Sequence, residues 1–476
     1  MHDEIFTRSI YSKMLEWRER WSDGTALLIE GARRVGKSTI VKTFAEAEFK
    51  SALIIDFYKP LSGTIEIFER YGNNYDRLFT ELQALYSIKL HNNESVVVFD
   101  EVQLYPRARE MIKGLVEDGR YRYIETGSLI TLRCRSANIM VPSEEYRLDM
   151  HPLDFHEFCM AIGESMKWDL VQENFINRAP MGPLHDEMME LYKTYMIVGG
   201  MPQSVNRFRK TRRYSDVEKV KSGIIDLYHE DLMKIPVNDG NTAKRIFDLI
   251  PAMLSKHEKR FRPGPIRKGS RTADHLDSIL WLRDSHICNI CNEVTDPQVA
   301  MDLTTEETSL KCYLLDTGLL LTQAFNHNIL GRKEVQEAFL HNRLNLNRGM
   351  IFENAVSQEL VACDIDLRFS RFYIDDKHVN EVDFIVGGRK VVPIEVKSGP
   401  SSRHVSLDRF MERNGKRIGE AYVVHGSDLR IDGKIIYIPI YMMGALCKSL
   451  VGEREQASNE GIDGRSDENP WSGFSE

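Results

Sequence analysis

The chain has 476 residues, more than one hydrophobic core organises, so two to four domains are expected. Apolar residues make up 42% and charged residues 28%, a balance that excludes a chain disordered along its whole length. A net charge of −8 confines any nucleic-acid surface to a local patch, and no uncharged apolar run approaches the roughly 18 residues of a membrane span.

Met1 to Trp21 carries charges throughout and lacks the apolar core of a signal peptide. The seven cysteines are odd in number and scattered, as reduced thiols are, so a cytoplasmic location away from membranes is expected. Cys288 and Cys291, after His286, have half the spacing of a zinc site, but no second Cys/His pair follows at finger distance, which favours a plain buried segment.

In chain order, Ala26–Glu30, Ala52–Asp56, Val96–Phe99 and Tyr121–Glu125 are short apolar runs separated by stretches of helical period. That alternation predicts an α/β fold with a parallel sheet and helices on both faces, over residues 1–150. Between them, Gly31-Ala-Arg-Arg-Val-Gly-Lys-Ser38 follows a strand and opens a helix, in the pattern of a phosphate-binding P-loop. Its cradle comprises Gly31, Arg33, Arg34, Val35, Gly36, Lys37, Ser38 and Thr39. Backbone N–H groups turn inward on the phosphates, Lys37 reaches the β and γ phosphates, and Ser38 takes Mg²⁺.

Asp100 and Glu101 end the strand Ser95–Phe99, where parallel sheets present ligands. Asp100 is expected in the Mg²⁺ shell and Glu101 as the group that polarises the attacking water. Thr126 and Ser128, at the end of the next strand, are candidate γ-phosphate sensors, with a capped turn as the plain alternative. The absence of an Asn-Lys-x-Asp string favours ATP over GTP. Arg147 is a candidate arginine finger; a finger supplied by a neighbouring copy would make the protein a homo-oligomer.

Residues 151–240 read as helical and are expected to form a lid. Residues 241–325 read as a small helical unit that ends in strand-like Ser309 to Leu315, 326–348 as a connector, 349–450 as a second α/β region, and 451–476 as an acidic, disordered tail. Together Gly31–Ser38, Asp100-Glu101-Val-Gln103, Thr126–Leu129, His151–Phe158, Val198-Gly-Gly-Met-Pro202 and Tyr313–Leu319 resemble the prokaryotic AAA-type ATPases that carry an uncharacterised C-terminal domain. The resemblance implies an AAA core, a helical lid, a winged-helix module and a restriction-endonuclease-like terminal domain. Asp154 stands where that family usually has Ser, and Tyr146 where a Gly often precedes the Arg.

Two further sites follow. Lys256 to Arg271 places seven cations against Glu258, and the winged-helix resemblance puts them where such modules meet DNA; a solvated loop is the alternative. The cluster Arg207, Arg209, Lys210, Arg212 and Arg213 on the lid reads as a solvated face. Asp383, Glu395 and Lys397, with Glu353 on the preceding helix, have the residue types of a PD-(D/E)xK nuclease, in which Asp383 and Glu395 hold a metal and Lys397 orients water or steadies the developing phosphate charge. A two-residue turn at Gly387-Gly388 would put Asp383 opposite Glu395 and Lys397, so a three-residue turn, Gly387-Gly388-Arg389, or an equivalent bulge is expected. The function expected is ATP binding and hydrolysis coupled to DNA, with a metal-dependent nuclease domain. The alternative is an ATP-operated switch that binds a protein or nucleic-acid partner through a terminal domain that cuts nothing.

Overall fold

The computed structural model describes residues 6–128, 144–233, 237–256, 259–298, 300–325, 348–373, 379–399 and 404–463, with backbone alone for 237–240 and 455–463. The expected connector 326–348 therefore lies almost wholly outside the described residues, as does Leu129.

Strands β1 (Ala26–Glu30), β2 (Ser51–Asp56), β3 (Ser95–Asp100), β4 (Arg122–Thr126) and β5 (Glu145–Asp149) form one sheet in the order β2-β3-β4-β1-β5. Every pairing is parallel. β1 lies inside it with all five residues buried, which is why Ala26 to Ile29 is continuously apolar instead of alternating, before Glu30 ends the strand. Successive residues feed two cores: Leu27, Ile29, Val96 and Val98 on one face, Ala26, Leu53, Val97 and Phe99 on the other. The sheet thus has the parallel α/β architecture of a P-loop ATPase.

Helices Phe155–Ile162, Ser165–Ile176, His185–Val198, Pro202–Thr211 and Tyr214–Leu232 follow. Asp154 begins the first of them with a capping box, accepting from Glu157 N at 2.7 Å while Glu157 accepts from Asp154 N at 3.4 Å. The carboxylate does there what a serine hydroxyl would do.

Helices Val237–Leu254 and Leu276–Asp284 lead into the hairpin of β6 (Cys288–Val294) and β7 (Thr305–Leu314). β6 carries the Cys-x-x-Cys pair; Cys288 and Cys291 fall on opposite faces of the strand, and Cys288 bonds the Cys312 thiol. The hairpin does not close a separate unit. β6 pairs in parallel with β8 (Arg368–Tyr373), which pairs with β9 (Val379–Val382), so one sheet of order β7-β6-β8-β9 spans the boundary expected between 241–325 and 349–450. At Asp383 the chain leaves that sheet for another, made of β10 (Phe384–Val386), β11 (Val392–Val396), β12 (Ala421–His425), β13 (Arg430–Asp432) and β14 (Ile435–Pro439), in the order β10-β11-β12-β14-β13.

The tail also departs from expectation: a helix runs from Met443 through Asp463, where disorder from residue 451 was expected. Arg454 ties it down by donating to Gly387 O at 2.7 Å. No helix among the described residues is long and apolar enough to cross a membrane.

Candidate functional sites

The loop after β1 turns because three of its residues take left-handed backbone: Gly31 (φ 144°), Arg34 (φ 71°) and Gly36 (φ 104°). Gly31 has a second reason, since a Cβ there would lie 2.3 Å from the Met150 carbonyl oxygen. Lys37 is the first residue of the helix Lys37–Glu48, and its ammonium folds back into the loop, donating to Gly31 O (2.7 Å) and Ala32 O (3.0 Å). Burial pushes it down to about 8, against the opposing pull of Glu101 and Asp100.

Across the gap, Ser38 Oγ donates to Asp100 Oδ1 at 2.9 Å. Thr126 Oγ1 donates to that same oxygen and accepts from Glu101 N at 3.0 Å. The expected loop, strand-end acids and neighbouring strand end therefore converge, and Thr126 holds the acids in place. Glu101 sits in left-handed backbone (φ 55°), its carboxylate accepting from Gln103 Nε2. Ser128 is buried just past β4. Ser38 and Asp100 offer hard oxygens on two sides of a gap bordered by a buried ammonium, a donor set that fits Mg²⁺ and a polyphosphate.

The remaining loop residues divide. Val35 is fully buried in the core, and Arg34 and Thr39 are exposed. The Arg33 side chain is engaged away from the cradle: its Nη1 donates to both Asp231 oxygens at 2.8 Å, while Tyr228 Oη donates to Arg33 O at 2.9 Å. Both partners lie on the helix Tyr214–Leu232, so the Arg33 side chain fastens that helix to the loop. Arg8 clamps the loop from behind, donating to Val35 O (3.0 Å), His151 O (2.6 Å) and Glu157 Oε2 (3.0 Å). No local signal marks Arg8, because its partners are distant in sequence. Arg147, the candidate finger, lies on β5 and donates to Glu145 at 3.0 Å, beside an Arg109 fork on the same carboxylate.

In the terminal domain the register settles the parity question. Phe384 pairs with Ile394 and Val386 with Val392, leaving a five-residue loop, 387–391, where a three-residue turn was expected; both lengths keep the same parity. Carried one residue further, this places Asp383 across from Glu395 and on its face, as Val396 N donating to Asp383 Oδ2 at 2.8 Å confirms. Phe384, Val386, Ile394 and Val396 fill the core behind. Lys397 Nζ donates to Glu395 Oε1 at 2.5 Å. Burial, then Asp383, push the Glu395 carboxyl up to about 8.

Glu353 joins them from the helix Arg348–Ala362. It is buried, accepts from Tyr313 Oη at 3.2 Å, and is raised by burial and then by Asp383. The unforeseen members are cations. Lys259, from the basic segment, forms an ion pair with Glu353, and Lys311, fully buried on β7, pairs with Glu381 at 2.6 Å. Phe261 and Ile266 anchor the basic segment in the core, leaving Arg262, Arg267, Lys268 and Arg271 exposed. At the end of the helix Pro202–Thr211, Arg209 and Arg212 lie over the rings of Phe6 and Phe208.

Comparison with known proteins accords with the first site. Residues 23–159 match the family model described as an AAA domain, a stretch that holds the first sheet and the loop Gly31–Ser38. Residues 189–329 and 348–443 match two models each described as a domain of unknown function. No curated protein matches the chain. Among solved structures, the Walker-type ATPase PABY2304 of Pyrococcus abyssi is 15% identical, with 68% of this chain and 97% of that one covered, at a TM-score of 0.42. The structure of Drosophila ORC bound to DNA is 12% identical, covering 64% and 92%, at a TM-score of 0.27.

Proposed function

We propose that this protein hydrolyses ATP·Mg at the loop Gly31–Ser38 and uses the cycle to act on DNA, with Asp383, Glu395, Lys397 and Glu353 forming a metal-dependent phosphodiester-cleaving site. The observation that carries the first half is the shared Asp100 Oδ1, which accepts from both Ser38 and Thr126. Bound Mg²⁺ supplies charge neutralisation on the phosphates. Lys37 exchanges the carbonyls of Gly31 and Ala32 for phosphate oxygens, Ser38 and Asp100 orient the ion's shell, and Glu101 accepts the proton of the attacking water. Arg33 and Tyr228 make loop movement felt on the helix Tyr214–Leu232, which links turnover to the lid.

Lys37→Ala is expected to abolish ATP binding. Glu101→Gln should leave binding in place and slow turnover by about a hundredfold or more, as loss of a general base does. A Glu101→Gln protein that turns over ATP at the wild-type rate refutes the assignment. For the second half, plasmid is incubated with protein, ATP and Mg²⁺ or Mn²⁺; nicking that persists in Asp383→Ala places the cleavage elsewhere.

The second reading, an ATP-operated switch whose terminal domain binds without cutting, is favoured by Lys259, whose ammonium pairs with a carboxylate that a metal would need. Wild-type protein that hydrolyses ATP and binds DNA but never nicks it would decide for the switch.

A further inference from the structure

Beside the phosphate loop, on the side away from Asp100, lies a cavity of about 420 Å³ bordered by the ends of β1 and β5, the turn before β6 and the helix Arg348–Ala362. Glu30 and Asp149 end two adjacent parallel strands and are register partners, so their side chains stand next to each other. His286 reaches them from the turn between the helix Leu276–Asp284 and β6, in left-handed backbone at φ 55°. One ligand atom from each of the three lies within 4.8 Å of the others.

These groups do not satisfy one another. His286 Nε2 and Asp149 Oδ1 are 3.8 Å apart, too far to bond directly and close to the roughly 3.4 Å that separates two ligands on one tetrahedral ion. Glu30 is 6% exposed and borders the cavity, yet its Oε1 has no hydrogen-bond partner. A buried carboxylate oxygen without a partner is costly unless a cation or water compensates it. The nearest arginines, Arg109 and Arg147, both direct their donors to Glu145.

We propose that Glu30, Asp149 and His286 bind a divalent cation of borderline softness, Zn²⁺ in preference to Mg²⁺, at a site distinct from the nucleotide's and from the terminal acid cluster. One imidazole with two carboxylates selects for such an ion. Glu30 directly precedes Gly31, so an ion here fastens the turn before β6 to the root of the phosphate loop.

The test uses the full chain without nucleotide, in excess Mg²⁺ to occupy weaker oxygen sites. Zinc binding is followed by calorimetry. One equivalent is expected, weakened roughly tenfold or more in Glu30→Gln and in His286→Asn, and unchanged in Glu395→Gln. Asparagine is chosen at 286 because it tolerates left-handed backbone. Zinc-edge X-ray absorption of the wild-type complex reads the ligands without any variant: a nitrogen and oxygen shell is expected. A sulfur shell, unchanged affinity in both variants, or no zinc bound by the wild type overturns the proposal.

Discussion

Lys37 illustrates how a single residue is prepared for its ligand. Its ammonium is buried and bonded to two carbonyl oxygens, and desolvation pushes it down to about 8. Phosphate oxygens favour the charged form far more than carbonyls do, so the nucleotide-bound value must be higher than the free one. The sign follows: below about pH 8 the free protein already carries the proton, and binding takes up none. Above it, the free lysine is increasingly neutral and ATP binding must draw a proton from solvent. ATP affinity should therefore be level below that pH and fall above it, by up to about tenfold per pH unit. Calorimetry in two buffers of unlike ionisation heat should register the uptake; affinity that is level through this range would mean that Lys37 is not the phosphate ligand.

At the scale of elements, Asp316 joins two segments that are far apart in sequence. Its fully buried carboxylate caps the helix Thr317–Ala324 by accepting from Leu319 N at 2.8 Å, and accepts from Gly200 N at 2.5 Å. Gly318 and Gly199 touch backbone to backbone; a Cβ on Gly318 would lie 2.6 Å from Gly199. Lys221 Nζ bonds Ile197 O and Gly318 O from the side. Asp316→Ala strands two buried N–H groups and should cost about 2–4 kcal/mol, read as a lower urea midpoint; an unchanged midpoint would deny the carboxylate that role. The strings Val198–Pro202 and Tyr313–Leu319 were visible in the sequence, but their contact was not, because nothing local encodes a pairing across such a distance. What could be read were features with a local cause: β1, the phosphate loop, the acids ending β3, and the parity of Asp383 with Glu395. β6 was missed because Cys288-Asn-Ile-Cys-Asn-Glu-Val lacks a clean period of two, and its pairing with β8 is nonlocal. The Arg33–Asp231 pair was hidden for the same reason, since Asp231 comes from a distant helix.

At the scale of the whole molecule, the sheet β7-β6-β8-β9 fuses the middle of the chain to the terminal domain, and the basic segment packs against that junction. Phe261 N donates to Leu310 O at 2.8 Å, which sets Lys259 two residues before it against Glu353. In that pair the ammonium is 16% and the carboxylate 3% exposed, so Lys259 occupies the charge environment a divalent ion would enter. Removing one partner of a buried pair leaves a carboxylate whose uncompensated burial costs about 3–5 kcal/mol. A divalent ion can offset that cost. Lys259→Ala should accordingly bind Mn²⁺ at least about tenfold more tightly than wild type, equivalent to about 1.4 kcal/mol. The gain should vanish when Glu395→Gln is added, since the ion would share both carboxylates. DNA that draws the basic segment onto phosphate should raise Mn²⁺ affinity in the wild type and leave Lys259→Ala unaffected. Manganese titrations followed by electron paramagnetic resonance separate the cases. Equal affinity in wild type and Lys259→Ala would show that the lysine is a structural tie only, and loss of all Mn²⁺ binding in the variant would make Lys259 a support for the acids instead of their competitor.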